Sequence, residues 1–249
     1  MPALALSWGN MAYTDTGGSG SSLVFLHGTG CDIQDWDGVF AHLPEGIRKI
    51  ALDFRGHGRS DVPQGTFTLE NLAEDALVLI DHLSLKSSVL VGHSLGGMVA
   101  LEAAQRSDTV AGLVLLEGWT RLGVSARAFE GDRMFGALSG EAIARIREKS
   151  EATKARFTPA NWDAFWETVK RFDAYPYLQK AEIPILEAYG EMGRHARSEI
   201  ELGVPDNPKV EWAWIPEAGH YLPHEKSGET AGLCRCLLSI VNPSFTTLE

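Results

Sequence analysis

The chain contains little cysteine and no long apolar run, and each shortage excludes a class of protein. Three cysteines among 249 residues form no disulfide framework. Cys234 and Cys236 lie two residues apart on a predicted helix, so their side chains diverge and do not hold a metal by themselves. Cys31 is interpreted as a buried structural thiol. No segment approaches the roughly 18 uninterrupted apolar residues of a membrane span, so we expect no membrane partner.

An excess of positive charge is also absent. The formal net charge is −11 at pH 7, which argues against nucleic acid and anionic membrane surfaces as partners. The N-terminus has no basic region followed by an apolar run, so we expect a cytoplasmic protein. The length fits one sizeable α/β domain with an insertion. We expect such a protein to act on a small-molecule substrate as a monomer or a homodimer.

One short motif carries a chemical signal. Gly92-His93-Ser94-Leu95-Gly96 has the pattern G-x-S-x-G, follows a β-branched run at 87–91 and opens a helix-favouring segment at 97–104. This strand–turn–helix context is typical of a nucleophile elbow. The glycines relieve crowding around a serine in strained backbone. The turn places the Ser94 oxygen at a helix N-terminus, whose free amides favour the negative charge that develops in acyl transfer.

Three further motifs each follow a predicted strand. They are His27-Gly28-Thr29-Gly30 after 23–26, the D-x-R-G-x-G-x-S sequence Asp53–Ser60 after 49–52, and Pro216-Glu217-Ala218-Gly219-His220 after 212–215. In this order they resemble the oxyanion loop, the D-x-R-G-x-G-x-S loop and the histidine loop of the α/β-hydrolase superfamily. The resemblance covers nearly the whole chain.

The order of predicted elements indicates the α/β fold class. A hairpin of Ala3–Trp8 and Met11–Thr16 about Gly9-Asn10 is followed by alternating strands and helices. The later elements are a helix at 69–83, strands at 89–91, 112–116, 184–188 and 210–215, and a terminal helix at 227–241. The resemblance implies an α/β-hydrolase fold, a mostly parallel eight-stranded sheet flanked by helices.

The strand–helix alternation stops after the sixth strand. Residues 118–179 contain helical patterns at 140–156 and 159–172, and we interpret them as a helical cap inserted after that strand. Residues 1–117 and 180–245 then form the hydrolase core, and 246–249 a tail whose Leu248-Glu249 is typical of a cloning scar.

Five aromatic residues are candidates for the substrate pocket. The cap stripe contributes three of them, and two more follow the oxyanion loop and the sixth strand, so the set is Trp162, Phe165, Trp166, Trp36 and Trp119. Rings in such positions line an acyl pocket or anchor the packing, and the sequence leaves both interpretations open.

The family resemblance implies roles for four residues. Ser94 would be the nucleophile and His220 its general base. The backbone amides of Thr29 and Leu95 would form the oxyanion hole. Main-chain donors constrain side-chain identity only weakly, so the neighbouring glycines matter more than these two side chains.

The triad acid departs from the common family pattern, in which it follows the seventh strand. Here Gly193 stands where the aspartate is usual, beside Glu191. Glu117 ends the sixth strand 23 residues after Ser94, where a branch that includes some dehalogenases and lactone hydrolases places its acid. Because an unpaired carboxylate is costly to bury at a strand end, we favour Glu117, with Glu191 as the alternative and another residue, or none, left open.

These features predict a serine hydrolase that cleaves a carboxylic ester, lactone or thioester through an acyl-enzyme. The resemblance implies no metal and no organic cofactor. Carbon–carbon bond hydrolysis and cofactor-free perhydrolysis would use the same residues and stay open. A small-molecule sensor without turnover is the alternative from another class.

Overall fold

The computed structural model describes residues 1–18, 20–121, 134–192 and 202–244. Gly193 and the predicted tail at 246–249 lie outside the described residues. Within the described ranges, no helix has the length and apolar character needed to cross a membrane. Cys31 and Cys234 are buried and Cys236 is exposed, and burial raises the pKa of the Cys31 thiol well above its ordinary value.

An eight-stranded sheet forms the centre of the molecule in the order β1-β2-β4-β3-β5-β6-β7-β8. Its strands are β1 Ala3–Leu6, β2 Gly9–Asp15, β3 Ser22–Leu26, β4 Arg48–Leu52, β5 Ser88–His93, β6 Val110–Leu116, β7 Ile185–Gly190 and β8 Val210–Ile215. The β1–β2 and β2–β4 pairs are antiparallel, and the pairs from β4 through β8 are parallel. The predicted mostly parallel, eight-stranded sheet is confirmed.

The leading hairpin turns two residues earlier than the sequence predicts. Leu6 pairs with Gly9, so the turn is Ser7-Trp8 and not Gly9-Asn10. Tertiary contacts account for the shift, because the Trp8 indole donates a hydrogen bond to Asp75 (2.9 Å). The Arg55 guanidinium also lies 4.9 Å from the centre of the Trp8 ring.

Helices cover both faces of the sheet. They are α1 Asp37–Ala41, α2 Leu69–His82, α3 Leu95–Ala104, α4 Gly140–Lys154, α5 Pro159–Val169, α6 Tyr175–Leu178, α7 Leu222–Glu225 and α8 Ser227–Val241. Side chains alternate along the strands, so Val24 packs in the core layer with α2 and α3, and Phe25 in the layer with α1 and α8. This two-layer core matches the predicted fold class.

Residues 118–179 lie within the β6–β7 connection, and their described part contains α4, α5 and α6. Phe165 of α5 stacks on Phe67 with ring centres 4.7 Å apart. Ile146 of α4 packs in a small cluster with Cys31 and Tyr221. The connection therefore rests on the loops at the carboxyl ends of the strands, and its role as a cap stays a prediction.

Candidate active site

Ser94 occupies the sharp turn between β5 and α3. It is the N-cap residue of α3, with φ 54° and ψ −118°, a conformation that costs a residue with a side chain about 1–3 kcal/mol. A Cβ atom on Gly92 would collide with the backbone of Gly96, and one on Gly96 would collide with the Leu26 carbonyl. The two glycines of the motif are therefore needed for strand and helix to approach each other this closely.

A cavity of about 240 Å³ lies over Ser94. Its lining includes Thr29, Leu95 and His220, so the structure brings together the four residues to which the sequence assigned acyl-transfer roles. Thr29 is half-buried, whereas Ser94 and His220 are both 6% exposed. This arrangement places a hydroxyl and an imidazole, both largely buried, in one pocket.

Two of the five predicted aromatic residues, Trp119 and Trp166, line the cavity. The other three make packing contacts, which agree with the packing interpretation that the sequence left open. Trp36 is 1% exposed and packs against Phe25, with ring centres 5.0 Å apart. Phe165 stacks on Phe67, and Trp162 lies against Phe157 with ring centres 5.5 Å apart.

Sequence reasoning missed five lining residues, namely Met98, Met134, Ser150, Val169 and Tyr221. They lie on α3, in the β6–β7 connection and after His220, and no motif marks most of them. Tyr221 could have been found because it follows the predicted base directly. Burial raises the pKa of Tyr221, so its hydroxyl stays protonated near neutral pH.

Glu117 faces the candidate base. Its Oε2 lies 3.6 Å from Nδ1 of His220, somewhat longer than a direct hydrogen bond. Its Oε1 accepts a hydrogen bond from the Gly190 amide (2.7 Å), and the Trp119 indole donates to Oε2 (3.3 Å). Glu117 is fully buried, so it is a fixed carboxylate on the Nδ1 side of the imidazole.

Glu191, the alternative acid, lies just beyond β7 and is half-buried. Its amide donates a hydrogen bond to the Ile215 carbonyl (3.1 Å), which fixes its backbone against β8. Glu117 stays the predicted triad acid, with Glu191 as the alternative.

Other side chains hold the histidine loop by its backbone. The amides of Gly219 and Tyr221, on either side of His220, donate to the Glu225 carboxylate at 2.8 and 3.0 Å. The His220 amide donates to the Met134 carbonyl (2.7 Å). The sequence offered only a weak signal for this role, a glutamate five residues after the candidate base.

His27 braces the oxyanion loop. Its Nε2 accepts a hydrogen bond from the Phe54 amide (3.0 Å), so the ring proton is on Nδ1, which donates to the Gly28 carbonyl (2.8 Å). The next turn contains Thr29 and Gly30, and Gly30 has a φ of +72° that favours glycine. The Thr29 amide thus sits in a turn fixed from the sheet below.

Comparisons with known proteins show what the chain is similar to. A family model described as alpha/beta hydrolase family matches residues 23–233. Among solved structures, the chain is similar to Est816, an N-acyl homoserine lactone degrading enzyme, with a TM-score of 0.71 and 26% identity. That similarity covers 94% of this chain and 99% of Est816.

Curated proteins match over shorter segments. The 3-oxoadipate enol-lactonase 1 of Acinetobacter baylyi is 36% identical over 112 residues, which are 43% of this chain and 42% of that enzyme. The non-heme haloperoxidase of Rhodococcus erythropolis is 39% identical over 98 residues, 39% of this chain and 36% of that protein. The chain thus spans less than half the length of these relatives.

Proposed function

The chain belongs to the alpha/beta hydrolase family, and on that premise we propose that it is a serine hydrolase. Its substrate would be a small, uncharged, partly apolar carboxylic ester or lactone. The observation that carries this proposal is the strained Ser94 in one cavity with His220, Thr29 and Leu95. Similarity to a lactone-degrading enzyme and to an enol-lactonase supports the ester or lactone bond as the target.

The proposed reaction runs through an acyl-enzyme. Ser94 Oγ attacks the substrate carbonyl while His220 takes the hydroxyl proton through Nε2. The amides of Thr29 and Leu95 donate hydrogen bonds to the oxyanion. His220 then protonates the leaving oxygen, and afterwards takes a proton from the water that releases the acyl group.

Glu117 would complete the triad. An ionised carboxylate on the Nδ1 side keeps the proton of neutral His220 on Nδ1, so that Nε2 is free to act as the base. It also stabilises the imidazolium that forms during attack. The 3.6 Å separation and the full burial of Glu117 support this assignment.

The lining of the cavity supports a short, uncharged substrate. Apart from His220, its described lining residues carry no ionisable group other than the Tyr221 phenol. A volume of about 240 Å³ is below the roughly 300–1,000 Å³ of most ligand pockets, which favours a short acyl group. The β6–β7 connection supplies Ser150, Trp166 and Val169 to this lining, so we propose that it acts as a cap that selects the substrate.

A panel of substrates tests the proposed function. We expect the protein to hydrolyse p-nitrophenyl acetate or butyrate and short-chain lactones, and to prefer them to p-nitrophenyl dodecanoate. Ser94→Ala is the matched control, because it removes one oxygen and leaves the elbow backbone in place. Equal rates for the two proteins, or no hydrolysis of any ester or lactone in the panel, would contradict the proposal.

Cofactor-free perhydrolysis is a second candidate, favoured by the similarity to a non-heme haloperoxidase. It would use the same acyl-enzyme, with hydrogen peroxide in place of water as the nucleophile. The peracid product would oxidise a halide to the halogenating species. Halogenation of monochlorodimedone that requires peroxide, a halide, an organic acid and Ser94 would support it, and halogenation by Ser94→Ala would exclude it.

A further inference from the structure

One buried carboxylate joins three separate segments of the candidate site. Asp35 lies in the 3-10 turn Ile33–Trp36, which follows the oxyanion loop at 27–30 in one continuous segment, and is 8% exposed. Its Oδ2 accepts a hydrogen bond from the Asp32 amide (2.6 Å). Both oxygens lie 3.0 Å from Nζ of Lys149 on α4, and Oδ1 lies 2.8 Å from Nε2 of His224 on α7.

Each of these segments carries a different part of the site. The oxyanion loop carries Thr29, and α4 carries Ser150 in the cavity lining beside Lys149. The histidine loop carries His220 four residues before His224. The contacts of Asp35 therefore connect the segment with the candidate oxyanion hole to the segment with the candidate base and to the helix that lines the cavity.

The approach of α4 to the oxyanion loop is close. A Cβ atom on Gly30 would lie 2.6 Å from Oγ of Ser150 and 2.7 Å from its Cα, so a side chain cannot be added there unless α4 moves. Thr29 precedes this contact in the chain. A shift of α4 would therefore be transmitted directly to the turn that holds the Thr29 amide.

Attraction between opposite charges keeps Asp35 and Lys149 ionised. Lys149 also contacts Asp32 Oδ1 at 3.1 Å, so one ammonium lies between two carboxylates. Burial raises the pKa of Asp35, but the His224 hydrogen bond and the Lys149 charge outweigh it, and the carboxyl stays ionised. Burial lowers the pKa of Lys149, and Asp35 and Asp32 more than compensate.

A different carboxylate attaches the same loop to the sheet. Asp53, just after β4, accepts a hydrogen bond from the Ile33 amide (2.8 Å). Asp53 thus fixes the loop from below, whereas Asp35 ties it to the two elements above. Losing the Asp35 contacts should loosen the relative placement of the three segments while the sheet stays intact.

We propose that Asp35, through Lys149 and His224, is a positioning residue that holds the oxyanion loop in register with the histidine loop and with α4. Its effect on turnover rests on the proposed function, whereas its effect on structure does not. An oxyanion hole stabilises charge mainly in the transition state, so disturbing it lowers kcat more than it raises KM. A misplacement of about 1 Å lowers the rate by roughly a hundredfold.

Lys149→Met is the most direct test, because it keeps the length of the side chain and removes its charge. We expect faster amide hydrogen exchange in peptides that cover 27–36 and 219–226, and a kcat about 10- to 100-fold lower with KM changed less than about threefold. Phosphonate labelling of Ser94 should slow by the same factor as kcat. Lys149→Arg, which restores a charged donor, should recover most of the loss.

Lys154→Met is the matched control, since Lys154 is exposed on the same helix, and it should change neither exchange nor kcat. His224→Gln should raise exchange in the same peptides and be non-additive with Lys149→Met. Unchanged exchange in both single variants would overturn the proposal, and so would faster exchange with normal kcat in an active protein. If the wild-type protein hydrolyses no substrate, the proposed function is wrong. The hydrogen-exchange experiment then tests the role of the Asp35 contacts by itself.

Discussion

His93 and His220 are joined by a hydrogen bond of 2.9 Å between Nε2 of His93 and the carbonyl oxygen of His220. A carbonyl only accepts, so Nε2 carries the proton. Burial lowers the pKa of His93 well below its ordinary value, which keeps the ring neutral. The residue before the candidate nucleophile thus fixes the backbone of the candidate base.

This contact gives a first prediction. His93→Phe keeps an aromatic ring and removes the donor. The freed His220 backbone should then misplace the imidazole slightly, and we expect kcat to fall about tenfold. His93→Gln retains a donor, and its kcat should lie between that of the wild-type protein and that of His93→Phe. Steady-state kinetics on a short-chain ester measures both variants, and an unchanged kcat in His93→Phe would contradict the role.

A pair of isosteric substitutions tests the triad acid. Glu117→Gln removes the charge that stabilises the imidazolium, and turnover should fall by roughly a thousandfold or more. Glu191→Gln is the matched control in the segment where the family usually has its acid, and it should be nearly silent. A large loss in the Glu191 variant with a small one in the Glu117 variant would reverse the assignment.

Variants of two aromatic residues on α5 allow substrate selection to be measured separately from packing. Trp166 lines the cavity, whereas Trp162 packs against Phe157. Trp166→Ala enlarges the pocket and should raise the ratio of kcat/KM for a hexanoate ester to that for an acetate ester. Trp162→Ala should leave this ratio unchanged. If both variants shift the ratio equally, the α5 rings act only through the stability of the connection.

The buried carboxyl of Glu187, which lies away from the active site, should make the stability of the folded protein depend on pH. It is fully buried on β7, where the Tyr189 hydroxyl donates to its Oε2 (2.6 Å), and burial raises its pKa from 4.5 to about 7. The folded protein keeps the carboxyl neutral at pH values where the unfolded chain has already ionised it. Stability from this group is therefore present below about pH 4.5 and is lost as the pH rises to about 7.

Glu187→Gln should remove this dependence. Relative to wild type, the free energy of unfolding of the variant should increase by about 3 kcal/mol between pH 4 and pH 8. Urea unfolding at several pH values measures the difference. If the difference in free energy of unfolding between the two proteins is the same at every pH, the pH dependence does not come from Glu187.

Local sequence patterns predicted the sheet, α8 and the site motifs, because each of these features is determined by residues that are close together in the sequence. Residues 227–241 form a helix as predicted, and Ser94 has the strained turn that its flanking glycines indicate. Backbone amides of Thr29 and Leu95 could be located because a turn and a helix start fix them.

Contacts between distant residues could not be predicted in the same way. Lys149 and Asp35 are 114 positions apart, and nothing local marks them as partners. Trp36 shows a second limit, since its position after the oxyanion loop left pocket and packing roles both open and only the structure shows its ring packed on Phe25. Hydrophobicity alone does not distinguish a ring in a pocket from a ring in the core.

The most direct test of the central claim is the site of covalent modification by a fluorophosphonate. The account predicts a single adduct, mapped by peptide mass spectrometry to Ser94 and absent from Ser94→Ala, whose thermal unfolding should match that of the wild-type protein. An adduct on another serine, or no adduct on a folded protein that still hydrolyses esters, would contradict Ser94 as the nucleophile.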